Sequence, residues 1–101
     1  MMKTKEKIRL NLFEGIVPPK KVNVLLWNDD TTLFDFVLLV LVRIFRLSTN
    51  EAIELSKTAQ SAGKAVVGQY PRDIAQMKVN SAVSVARRNG FYDFKMTVEE
   101  E

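Results

Sequence analysis

Side-chain oxygens crowd into one short stretch of this chain. Asn28, Asp29, Asp30 and Thr32 follow directly on Val24-Leu25-Leu26-Trp27, and Leu33, Phe34 and Phe36 follow directly on them. Adjacent carboxylates beside strong apolar residues allow several chemistries. They can line a small anionic pocket next to a greasy one. They can form an Asx turn ahead of a helix. Asp29, Asp30 and Asp35 can be read as metal ligands, although neighbouring residues rarely converge on one ion and no further ligands are apparent. An acid–base carboxylate pair is open on the same residues. Phe34 and Val37 can likewise be pocket wall or plain core.

Composition narrows the choice. The chain has 101 residues, enough for one domain, and 47% hydrophobic residues put it in the globular range. It contains neither cysteine nor histidine. That removes disulfides, thiolate nucleophiles, the commonest general base and the commonest metal ligand. The net charge of +3 is unevenly placed. Residues 1–21 carry six Lys/Arg against two Glu, a net +4, and the remainder carries nine basic and ten acidic residues, a net −1. A basic stripe on the folded part is what nucleic acid requires, so no nucleic-acid partner is expected. The apolar run Phe36 to Val42 is far shorter than the roughly 20 residues of a membrane span. The basic start lacks the long apolar core of a secretory signal, and the cytosol is the expected location.

The elements that must position these residues follow from patterning. Residues 1–20 are mixed and end in Pro18-Pro19, which predicts a flexible arm before a domain over 21–101. Lys21 to Trp27 is β-branched and aromatic, and predicts a strand. Thr32 with Asp35 resembles a capping box opening a helix from about Leu33 to Phe45, apolar around nearly its whole circumference. Ser48 and Glu51 form a better box ahead of a helix over 49–62, with Ala52, Ile53, Leu55 and Ala59 as its stripe and Gly63 as its stop. Lys64 to Tyr70 predicts a second strand. Pro71 suits the first turn of a third helix that buries Ile74, Met77, Val79, Ala82, Val83, Val85 and Ala86 and ends at Asn89-Gly90. A last strand is expected from about Asp93. The result is an α+β domain, β-α-α-β-α-β, with a three-stranded antiparallel or mixed sheet packed against three helices.

These residues together resemble a known family. Val24-x-Leu26-x-Asn28-Asp29-Asp30-x-Thr32, Phe36-Val37, Gly63-Lys64-Ala65-x-x-Gly68 and Asp73-x-Ala75-x-x-Lys78 are similar to the Clp protease adaptor family ClpS over residues 21–99. The resemblance implies a non-enzymatic, monomeric adaptor without cofactor or metal. It implies binding of substrate N-termini whose first residue is bulky and apolar, the N-degrons. It further implies delivery to the N-terminal domain of a Clp AAA+ ATPase, ClpA or ClpC, for degradation by ClpP, in a bacterial cytosol or an organelle stroma.

Carried over position by position, the resemblance implies that Asn28, Asp29, Asp30, Thr32 and Gln60 hold the α-amino group and first peptide unit. Phe34, Val37, Thr58, Ala59 and Phe94 would line the pocket for the first side chain, Phe94 only with a one-residue insertion near Gly90. Asp73 and Lys78 would face the ATPase. Two positions depart from the family. Gln60 stands where a histidine contacts the amino group, and Phe34 stands where methionine is usual. A docking-only regulator of the ATPase is therefore the rival, and a small metal-assisted enzyme using Asp29 and Asp30 a remote one.

Overall fold

The structure, a computed structural model, describes residues 20–100. The expected arm lies outside the described residues except for Lys20. The elements are β1 (Lys21–Trp27), α1 (Phe34–Arg43), α2 (Thr49–Ala62), β2 (Lys64–Pro71), α3 (Arg72–Arg88) and β3 (Lys95–Glu99). The sheet order is β2-β1-β3, and both pairings are antiparallel.

β1 is central because it carries the most apolar sequence of the three strands. Val22, Val24 and Leu26 alternate onto the helix-covered face and join Ala65, Val67 and Met96 in the core. Val24 and Leu41 are fully buried, which contributes roughly 1.5–3 kcal/mol each. The β1–β2 register shifts between Val24 and Leu25, which face Gly68 and Val66. Val67 is thus the extra residue of a bulge. A Cβ at Gly68 would lie 3.2 Å from the Tyr70 ring, a tight contact to which the ring would have to yield.

α1 differs from expectation at both ends and on its surface. Its N-cap is Leu33, with no side-chain cap. The expected Thr32–Asp35 box does not form: the cap falls one residue later, at Leu33, and the Thr32 N–H that Asp35 would take is donated to Asp29 Oδ1 at 2.7 Å. The helix ends at Arg43, and Arg46 at φ 60° turns the chain towards α2. It is also not covered all round. Phe36, Val40 and Leu41 are buried, while Leu39 and Leu33 face outward.

α2 matches the expected span, and its capping box is complete. The Glu51 N–H donates to Ser48 Oγ at 3.1 Å and the Ser48 N–H to Glu51 Oε1 at 3.0 Å. α3 buries Ala75, Val79, Ala82 and Ala86, spaced as one helical face. Ile74 and Met77, expected inside, are exposed. Alanines on the buried stripe let this helix lie close to the sheet, while Ile74 falls to one side of that stripe and Met77 nearly opposite it. No helix among the described residues is long and apolar enough to cross a membrane.

Candidate functional site

The site forms where β1 runs out. The Asn28 N–H continues the strand's hydrogen bonding by donating to the Gly63 carbonyl oxygen at 2.9 Å. Gly63 is the left-handed C-cap of α2, at φ 89°. This single bond ties the end of β1 to the end of α2, and so sets Asn28 opposite Gln60.

The turn that follows is organised by Asp29. Its Oδ1 accepts from the Thr31 N–H at 2.9 Å and the Thr32 N–H at 2.7 Å, and its Oδ2 accepts from the Thr32 hydroxyl. The Thr31 hydroxyl lies 3.3 Å from Asp29 Oδ1 and 2.9 Å from Asp93 Oδ2. It has one proton, and the nearer acceptor ties the turn to the segment before β3. Burial acts to raise the Asp29 pKa. The hydrogen bonds from Thr32 and Thr31 outweigh it and hold the carboxyl below its ordinary value. Asp29 is therefore a firmly charged group. A carboxylate has about four lone-pair directions, so Oδ2 keeps room for another donor.

A cleft of about 40 Å³ opens beside this turn. Asn28, Asp29, Thr32 and Gln60 contribute polar walls, and Phe34, Val37 and Ala59 apolar ones. Among the described residues no hydrogen bond engages the side-chain amides of Asn28 or Gln60, which are exposed. Trp27 also borders the cleft. Its Nε1–H donates to Thr97 Oγ1 at 2.8 Å, and the ammonium groups of Lys64 and Lys95 lie 5.2 and 4.6 Å from its ring centroid.

Three expected residues stand elsewhere. Thr58 is exposed and donates its hydroxyl to the Glu54 carbonyl oxygen at 3.0 Å. It is two residues, about 200° of helix, from Ser56, which does line the cleft. Phe94 is core, edge-on to Phe36 at 5.9 Å between ring centroids. Asp30 is exposed and does not border the cleft. Ser56 is what residue-type reasoning missed. Its signal was spacing, because Ala52, Ser56 and Ala59 make the buried stripe of α2.

A larger trough of about 700 Å³ lies at the other end of β1, between Lys20, Lys21, Arg72, Asp73 and Glu100. Arg72 pairs with Glu100 across it. Charged side chains dominate its walls, with Val22, Gln69 and Pro71 between them, and of the residues the resemblance singles out only Asp73 borders it. The Asn28 cleft, though far smaller, is the one with convergent chemistry. Lys78, by contrast, is drawn into the fold. Its Nζ donates to the Ile44 carbonyl oxygen at 2.8 Å and lies 5.8 and 5.5 Å from the Phe45 and Tyr70 ring centroids. Among the described residues no three Asp or Glu side chains gather as metal ligands would.

An open antiparallel sheet with three helices in this order is an architecture shared with known proteins. The family model for the ATP-dependent Clp protease adaptor protein ClpS matches residues 17–98. The ClpS of Nautilia profundicola is 40% identical over 85 residues, 84% of this chain and 87% of that one. The ClpS of Neisseria meningitidis serogroup A is 37% identical over 83 residues, 82% of this chain and 80% of that one. Agrobacterium tumefaciens ClpS2, solved bound to L-phenylalaninamide, superposes with a TM-score of 0.78 at 38% identity, over 82% of this chain and 99% of that chain. These likenesses place the chain among the adaptors of the Clp protease. It belongs to the ClpS family, whose members are adaptor proteins and not enzymes.

Proposed function

We propose that this chain captures polypeptides by a free N-terminus with a bulky apolar first residue and delivers them to a Clp AAA+ ATPase, ClpA or ClpC, for degradation by ClpP. It does so as a monomer, in a bacterial cytosol or an organelle stroma. The observation that carries the reading is the meeting of Asn28, Asp29 and Gln60 at the mouth of a cleft walled by Phe34, Val37 and Ala59. An α-ammonium group has three donors and one positive charge. The Asn28 and Gln60 amide oxygens and Asp29 Oδ2 are acceptors for them, directly or through water. An internal residue or an acetylated terminus offers no such cation. Thr32 is placed to meet the first peptide unit.

Burying the first side chain contributes roughly 1.5–3 kcal/mol. The cleft is smaller than a phenyl ring, so the half-exposed Phe34 at the start of α1 is the wall that must swing outward. The related ClpS2 was solved with L-phenylalaninamide, a phenylalanine with its amino group free, which supports the same occupant here. Asp73, exposed near the start of α3 beside the exposed Ile74 and Met77, supports ATPase docking on that helix. Lys78 joins it there with the donors left over after its bond to Ile44.

The narrow cleft and Gln60 favour one alternative, a regulator that docks on the ATPase without taking cargo. A titration decides between them. A peptide beginning with Phe is expected to bind while its N-acetylated copy does not. Binding of both, or of neither while the ATPase N-terminal domain still binds, overturns the capture reading.

A further inference from the structure

Ser56 is buried to 4% exposure, and its Oγ has no hydrogen-bond partner. A serine within a helix commonly returns its hydroxyl to the carbonyl four residues earlier, here that of Ala52. This one does not. A buried hydroxyl without a protein partner is costly, and a native structure rarely keeps one without a use. Ser56 is also a wall of the cleft.

We propose that Ser56 sets the specificity of the cleft, its hydroxyl hydrogen-bonding the phenol of an amino-terminal tyrosine. The inference rests on the capture reading above and names the first residue it favours. Geometry supports the reach. Gln60 and Ser56 are four residues apart on α2 and stack on one helix face, about 6 Å along the axis. Gln60 is exposed at the mouth, and Ser56 is buried beneath it. A side chain whose amino group sits at the level of Gln60 extends one helical turn inward to Ser56. That span is close to the length of a para-substituted phenyl ring. Leucine stops short of it, and phenylalanine arrives with nothing to offer the hydroxyl. The phenol both donates and accepts, and so does Ser56 Oγ, so either direction satisfies both groups.

The test uses the full chain and peptides identical except for a first Tyr or Phe. Wild type is expected to bind the Tyr peptide about 3- to 10-fold more tightly, the worth of one neutral hydrogen bond. In Ser56→Ala that ratio is expected to fall to about one, while a thermal melt reports that the variant folds. A serine that only packs would shift both affinities together and leave the ratio intact. A wild-type ratio at or below one, or a preference for Tyr that survives in Ser56→Ala, overturns the proposal. If neither peptide binds to wild type, it is the capture reading that fails, and this inference goes with it.

Discussion

The Asn28 N–H and the Gly63 carbonyl oxygen, 35 positions apart in the chain, meet at 2.9 Å and hold the two polar walls of the cleft in place. Gly63 can present that oxygen because it sits at φ 89°. A side chain at this position meets no steric obstacle, since a Cβ has nothing within 4 Å, so the only cost is the backbone. Gly63→Ala should therefore destabilise the domain by about 1–2 kcal/mol, the cost of the left-handed conformation for an alanine. Urea unfolding measures it, and an unchanged midpoint would refute the account. Peptide affinity should fall as well, because Asn28 and Gln60 lose their common anchor.

Acid should weaken the turn before it weakens the core. The Asp29 carboxyl is held below its ordinary pKa when folded, so its stabilisation is complete above the usual carboxylate range. It is lost as pH falls through the lowered value. Asp29→Asn keeps an acceptor but loses the charge, and should flatten the acid limb of stability between about pH 2 and 5. Glu51 is also lowered, by its capping-box partner Ser48, and titrates in the same window. Glu51→Gln therefore serves as the parallel control. Identical acid profiles for wild type and Asp29→Asn would remove the argument.

Peptide binding should show a different pH dependence. With no histidine in the chain, the peptide's α-amino group is the group in the proposed contact that titrates near this range. A free α-amino group has an ordinary pKa of about 7.7–8.0, and binding that prefers its charged form raises it. Affinity should be level from about pH 5 to 7 and decline as pH rises past the peptide's own pKa. Calorimetric titration across that range checks it. A midpoint near pH 6 would point to another group altogether.

Lys78 should prove a matter of stability before docking. Its ammonium group caps the carbonyl of Ile44 at the end of α1 and rests against Phe45 and Tyr70. Lys78→Met keeps the stem and removes the charge, and should cost about 1–2 kcal/mol. A variant with wild-type stability but no affinity for the ATPase N-terminal domain would show the reverse priority.

Much of this architecture was legible in the sequence, and the exceptions share a cause. The Ser48–Glu51 box and Gly63 bounded α2 correctly because capping is local chemistry among residues three or four apart. The Thr32–Asp35 box failed because Asp29, outside the motif, takes the Thr32 N–H and the helix starts one residue later. Ile74 and Met77 looked buried because hydrophobicity does not reveal which face of α3 meets the sheet. Small Ala75, Ala82 and Ala86 decide that by allowing close approach. Asn28, Asp29, Thr32, Phe34, Val37, Ala59 and Gln60 border one cleft. Asp30, Thr58 and Phe94 do not, and Ser56 went unnoticed because its only signal was its spacing with Ala52 and Ala59, against a residue type that usually faces water.

The central strand also fixes a distance between partners. Lys21 pairs with Pro71, next to the start of α3, whereas Trp27 pairs with Lys64 beside the cleft. Six residue steps of extended chain separate those two ends, about 20 Å. Under the function proposed above, cargo gripped at one pole would leave the pole proposed to face the ATPase uncovered. Occupancy at either end would then be thermodynamically independent, with the strand a rigid spacer between the two proposed binding sites.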